Sequence, residues 1–191
     1  VGFGAQLVDG SLGMGYKVSS TTLLLSFGVP PKVASASVHT AGIISSAVSG
    51  YSHYRFGNFV KSLIIRLAIP GIVGGIIGAL TLSAVPSEII KPLISLYLLF
   101  MGMRIVLKAL KKIGQVEAHV NTHVLGLMGG FFDATGGGGW GPIVTTTLVV
   151  NGHPPREVIG SVNIAEWFVT IVQAATFFFA LGDILNYSAI I

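Results

Sequence analysis

The 191-residue sequence contains no cysteine. Disulfide bonds, thiolate nucleophiles and cysteine-ligated metals are therefore excluded as explanations of its function. The five histidines are scattered, at positions 39, 53, 119, 123 and 153. They show neither metal-ligand spacing nor the arrangement of a nucleophile with its base. We therefore expect no metal site, no cofactor and no catalytic residue, and the chain is not predicted to be an enzyme.

Charged residues are also scarce, at 9% of the chain against about a quarter in soluble domains. Hydrophobic residues make up 52%, and the mean hydropathy is +0.81. This composition predicts a polytopic membrane protein whose surroundings are a lipid bilayer. The net charge of +4 comes from bases clustered near one set of loops, which fits a membrane topology better than nucleic-acid binding.

A run of four glycines, Gly136 to Gly139, interrupts a long apolar segment in which Asp133 is the sole formal charge. Successive glycines followed by Gly141-Pro142 are too flexible for an ordinary helix interior. The run therefore predicts a membrane-embedded helix that is broken in its middle, with its backbone buried in protein or lining a polar cavity. The second half would begin with partial positive charge, which favours an anion. The alternative is that these glycines are packing notches.

The same pattern occurs 124 residues earlier. Without a gap, about one third of positions from Asp9 to Ala41 are identical to their partners in the second copy. The identical pairs include Asp9 with Asp133, Gly13 with Gly137, Gly15 with Gly139, Gly28 with Gly152, and Pro30-Pro31 with Pro154-Pro155. This pattern predicts an internal duplication.

The predicted fold is all-α, a polytopic transmembrane bundle of two homologous repeats that each open with a glycine-broken helix. The first repeat covers 1–113 with about four spans, a linker covers 114–122, and an incomplete second repeat covers 123–191 with about two and a half spans. If crossings alternate, four crossings separate the two motifs, so the repeats have the same, parallel orientation. The positive-inside rule then places the linker in the cytoplasm and both Gly-x-Pro-Pro loops outside.

The paired motifs resemble the TauE/SafE sulfite exporter family, membrane anion transporters of the TSUP type. The residues that carry this resemblance are Val8-Asp9-Gly10 with Gly13 and Gly15, the stretch from Ser35 to Ala41, the stretch from Ser49 to Asn58, and the stretch from Gly130 to Pro142. The resemblance implies a plasma-membrane secondary carrier of sulfite or other sulfur-containing or organic anions. Two departures stand out: Lys17-Val18 replace the Gly-Pro of the second copy, and Gly42 stands opposite Glu166.

The candidate site residues fall into two groups. Those predicted to bind substrate are Gly13, Gly15, Lys17, His39, Gly136, Gly137, Gly138, Gly139 and Asn163. Those predicted to couple transport to protons are Asp9, Asp133 and Glu166, because intramembrane acids are expensive and usually functional.

Each candidate has a structural alternative. Asp9 and Asp133 are equally explained as caps of half-helices. His39 and Asn163 are equally explained as hydrogen-bonding residues between helices, with Asn163 and Glu166 on one helix face. Lys17 is expected either to snorkel outward, which is slightly favoured, or to complete the anion site.

The functional hypothesis is a secondary transporter that binds a small anion between paired broken helices. The sequence is also compatible with assembly of the protein into a homo-oligomer. A channel and a non-transporting scaffold subunit stay as alternatives.

Overall fold

The computed structural model describes residues 14–110 and 120–182, and all regular secondary structure in this part of the chain is helical. We number the α-helices α1 to α7. They are α1 (Tyr16–Ser26), α2 (Pro31–Arg55), α3 (Lys61–Ala84), α4 (Ser87–Leu110), α5 (Thr122–Gly136), α6 (Thr146–Val150) and α7 (Pro155–Leu181). A π-helical turn, Gly141–Thr145, leads into α6. Asp9 and Gly13 lie outside the described residues.

Two apolar clusters mark the ends of the bundle. Side chains of Leu25, Ala34, Leu82 and Leu181 belong to one cluster, and those of Leu63, Leu125, Leu148 and Val158 belong to the other. We call these the Pro31 end and the Pro155 end, after the first residues of α2 and α7. By length and composition, α3 and α7 could each cross a membrane.

Helices α2 and α7, which occupy equivalent places in the two predicted repeats, pack antiparallel. Their contacts run in opposite order along the two helices. The pairs are Gly42 with Thr170 and Gly50 with Ile164, and Asn58, just beyond the end of α2, contacts Gly160. The prediction of parallel repeats is therefore wrong, and the two Gly-x-Pro-Pro turns lie at opposite ends of the bundle.

The segment from Thr122 to Val150 is a helical hairpin rather than a crossing. Its arms pack antiparallel, with Gly129 against Val144 and Leu125 in one cluster with Leu148. Thr122 and Pro154, at its two ends, line one pocket at the Pro155 end. This geometry explains why the predicted parallel orientation is wrong. Three helices, α2 to α4, separate the two motifs, where the sequence predicted four crossings. An odd number of crossings places the second motif in the opposite orientation to the first.

Glycines let the first arm of this hairpin lie directly against α3. A methyl group at Gly126 would lie 2.6 Å from the carbonyl oxygen of Leu67, and one at Gly130 would clash with the carbonyl oxygen of Gly71. On α3, Gly74 and Gly78 face the backbone of α5 in the same way. Small residues allow helices to approach to backbone contact, as in membrane bundles.

The two Gly-x-Pro-Pro turns share one conformation. Gly28 has φ 83° and Gly152 has φ 84°, values that favour glycine. Three backbone hydrogen bonds close the first turn. They run from the amides of residues 27, 28 and 29 to the carbonyls of 23, 25 and 24, respectively, and the same three bonds recur 124 residues later. This part of the sequence match is therefore also a match in local structure.

Candidate functional site

A buried ion cluster joins the hairpin tip to α1 and α7. The ammonium nitrogen of Lys17 lies 2.7 Å from Asp133 Oδ2 and 3.0 Å from Glu166 Oε1. It also donates to Thr170 Oγ1 at 2.9 Å. An ammonium group has three donors, so these contacts use all of them.

The position of Lys17 corrects one expectation. Its side chain is only 6% exposed, so the favoured interpretation, that it snorkels outward, is wrong. The reason is the pair of carboxylates inside the bundle: a buried charge is tolerated where it is paired and hydrogen-bonded. Lys17 is also the residue at which the first copy departs from the Gly-Pro of the second.

His39 on α2 approaches the same carboxylate from the other side. Its Nε2 lies 3.2 Å from Asp133 Oδ2, and its Nδ1 lies 2.7 Å from the carbonyl oxygen of Ser35. A carbonyl only accepts, so Nδ1 carries a proton there. His39 therefore links the backbone of α2 to the same carboxylate that holds Lys17.

The cluster brings one basic side chain, Lys17, between two acidic ones, Asp133 and Glu166. Burial makes this pairing important, because an uncompensated buried charge is costly.

Asp133 also caps the second arm of the hairpin. Its Oδ1 accepts from the backbone N–H of Trp140 at 3.2 Å, which agrees with the interpretation that Asp133 satisfies a backbone donor freed by the break. Trp140 is fully buried and its indole N–H donates to the carbonyl oxygen of Val162 at 3.1 Å. The protein's own carboxylate therefore occupies the place that the sequence suggested for an anion.

The break itself lies where the glycines predict it. Helix α5 ends at Gly136, and Gly137 follows with φ 64° in the left-handed region. Side chains would clash at these positions. Gly136 faces the Tyr97 ring, Gly137 faces Thr21, Gly138 faces Val18, and Gly139 faces Tyr97 and the backbone of 132–133. The glycines are therefore packing notches as well as a break, and binding of an anion by their amides stays a prediction.

A small cavity of about 10 Å³ lies beside the ion cluster. Gly15, which precedes α1 with φ 125°, lines it together with Gly138 of the hairpin tip. Lys17, Asp133 and Glu166 line it as well. The start of α1 and the break after α5 therefore meet at one point, as the predicted pairing of the two motifs requires.

Asn163 lies on the same face of α7 as Glu166. Both side chains are buried, and the face continues through Thr170 and Gln173. The amide nitrogen of Asn163 has no hydrogen-bond partner among the described residues. The structure brings Lys17, His39, Asp133 and Glu166 into direct contact, whereas no described contact joins Asn163 to them.

Sequence reasoning missed three side chains at this site. Thr170 and Ser35 each lie one helical turn from a predicted residue, Glu166 and His39, and the i, i+4 spacing could have indicated them. Tyr97 reaches the hairpin tip from α4. No local pattern marks it, because its position depends on how α4 packs.

The TauE/SafE sulfite exporter family model matches residues 1–191, the whole chain. The chain belongs to this family. Among TauE/SafE relatives, a protein of Bacillus subtilis (strain 168) named "Probable membrane transporter protein YtnM" is 45% identical over 190 residues. The match covers 95% of this chain and 63% of that protein, so the chain spans less than two thirds of the relative's length. No solved structure gives a significant match to this TauE/SafE chain.

Proposed function

We propose that the protein is a secondary membrane transporter of a small anion, with sulfite or an organosulfonate as the substrate. Membership of the TauE/SafE family and the similarity to a protein named as a membrane transporter support a transport role. The single observation that carries the anion proposal is Lys17, a buried ammonium group held by two carboxylates where the two motifs meet. An anionic substrate can take the place of a carboxylate at that ammonium.

The exchange of partners suggests how transport is coupled. The Lys17 donors are fully used by Asp133, Glu166 and Thr170, so an incoming anion must displace one of them. A displaced carboxylate in a buried site is unfavourable unless it takes up a proton. We infer that one proton enters with each monovalent anion, with Asp133 and its neighbour His39 as the acceptor.

The inverted arrangement of α2 and α7 supports alternating access. The matching turns and the antiparallel pair favour two inverted-topology repeats, related by an axis in the membrane plane. In such transporters the substrate lies near the midplane, where broken helices from the two repeats meet. The ion cluster fits such a position, because Lys17 lies in the first turn of α1 and Asp133 lies in the last turn of α5.

The charge distribution supports one orientation. The Pro155 end carries Arg55, Lys61 and Arg156, whereas the Pro31 end carries Lys32 and Lys91. The positive-inside rule then assigns the Pro155 end to the cytoplasm. The linker 114–122 would be cytoplasmic, in a protein of the plasma membrane.

Sulfite flux into liposomes that contain the complete protein tests this proposal, with and without an imposed proton gradient. We expect saturable flux that the gradient accelerates. Asp133→Asn leaves Lys17 paired with Glu166 but removes the carboxylate of the proton acceptor, so gradient-driven acceleration should fall about tenfold or more. Glu157→Gln, at an exposed acid outside the cluster, is the matched control and should behave like the parent.

Two results would contradict the proposal in different ways. Non-saturating flux with no response to the gradient would favour a channel. An absence of flux with sulfite and organosulfonates alike, from correctly folded protein, would favour the scaffold alternative.

A further inference from the structure

Tyr97 presents a buried hydroxyl group that no part of the proposed site yet uses. Its oxygen has no hydrogen-bond partner among the described residues, although it is shielded from solvent. A buried polar group without a partner is unfavourable, and phenylalanine would fill the same space without that penalty. The hydroxyl therefore requires an explanation other than stability.

Packing fixes the direction in which this hydroxyl points. The Tyr97 ring stacks on Phe132, with centroids 5.5 Å apart and an interplanar angle of 12°. The ring edge fills the notch at Gly136. A side chain held on two sides in this way has little freedom to turn its oxygen elsewhere.

The hydroxyl points at the hairpin break. A methyl group at Gly139 would lie 2.6 Å from the Tyr97 hydroxyl oxygen and 2.7 Å from the backbone nitrogen of Asp133. The phenol oxygen of Tyr97 and the backbone nitrogen of Asp133 therefore both lie next to Gly139, within the break. Lys17 contacts the carboxylate of the same Asp133 from α1, so donors from two helices converge on this segment.

We propose that the Tyr97 hydroxyl donates a hydrogen bond to the substrate and selects oxyanions over monatomic anions. This inference rests on the proposed function. An oxyanion has several acceptor oxygens, so one can face the ammonium of Lys17 while another accepts from Tyr97. A halide accepts several hydrogen bonds too, but all at one centre, so it spans two separated donors less well than an oxyanion does. In this proposal Lys17 selects an anion, and Tyr97 selects an oxyanion among the anions.

The test is Tyr97→Phe in the complete protein, which removes one oxygen atom and keeps the ring. We expect the sulfite concentration for half-maximal flux to rise about tenfold. The inhibition constant of chloride should stay unchanged. The thermal midpoint should stay the same or rise, because an unpartnered buried hydroxyl is lost. Tyr54→Phe, at an exposed ring stacked on Phe59, is the control and should change neither quantity.

The outcomes separate this inference from the proposed function. If Tyr97→Phe transports sulfite with the parent's half-saturation, the role of Tyr97 as a donor is wrong while the carrier proposal stands. If the variant loses stability and keeps its half-saturation, Tyr97 is structural. If the parent itself shows no saturable anion flux, the proposed function fails first.

Discussion

Lys17 holds two carboxylates, so its removal should be more harmful than removal of either partner. In Lys17→Gln, Asp133 and Glu166 stay buried without their ammonium partner, and we expect a loss of about 3–5 kcal/mol in the free energy of unfolding. Asp133→Asn should have a smaller effect, because Lys17 keeps its contact with Glu166. Thermal unfolding of the purified variants in one detergent measures the order.

A second substitution checks the electrostatic reason. Adding Glu166→Gln to Lys17→Gln removes one stranded charge and leaves Asp133 beside His39. The double variant should therefore be more stable than Lys17→Gln alone. A further loss of stability in the double variant would show that the charges do not determine the effect.

For single residues, the sequence predicts well which side chains belong to the site and poorly which partners they contact. His39, Asp133 and Glu166 could be selected, because polar groups inside an apolar chain are few and conspicuous. The contact from Lys17 to Asp133 crosses 116 residues of sequence. No local pattern encodes such a separation, so the outward and inward positions of Lys17 could not be distinguished.

Among the elements, the close packing of α3 against α5 gives a direct prediction. Gly130→Ala places a methyl group against the carbonyl oxygen of Gly71, which belongs to rigid backbone. We expect a loss of about 1–3 kcal/mol, because the helices must separate to accept it. Unfolding in detergent, followed by circular dichroism, measures this change.

Gly102→Ala is the matched control. Gly102 also lies within a helix, but no neighbouring atom of the described residues lies within 4 Å of a methyl group placed there. The substitution should be neutral, or stabilise the protein by up to about 1 kcal/mol through helix propensity. Equal destabilisation by both alanines would mean that helix separation is not the cause.

The elements also show where prediction from the sequence ended. The break after Gly136 and the turns at Gly28 and Gly152 could be predicted, because glycine and proline act on the local backbone. Whether a broken helix crosses or folds back depends on contacts between its arms, such as Gly129 with Val144. A segment that crosses the membrane and one that folds back as a hairpin have the same hydrophobicity, so the sequence predicts a crossing here.

For the whole molecule, the inverted arrangement predicts which turns share a membrane face. The chain has no cysteine, so single cysteines can be introduced without background. Phe56→Cys and His153→Cys, at exposed residues of the Pro155 end, should react with an impermeant maleimide from one side. Phe27→Cys, 77% exposed at the Pro31 end, should react from the opposite side.

Labelling of all three positions in both intact and opened vesicles provides the comparison. Reaction of Phe27→Cys and His153→Cys from the same face would restore the parallel orientation and overturn the hairpin topology. The position of Phe56→Cys is the internal reference, because Asn58 beside it is hydrogen-bonded to Arg156.

The long-range ion pair also bears on how the protein is made. The ribosome adds Lys17 to the growing chain 116 residues before Asp133, and Glu166 comes later still. Until then the ammonium has neither carboxylate, and an unpaired ammonium is unfavourable at bilayer depth. Helix α1 can therefore settle against the bundle only after the hairpin of Thr122 to Val150 and α7 have been made, which makes the docking of α1 a late event in biogenesis.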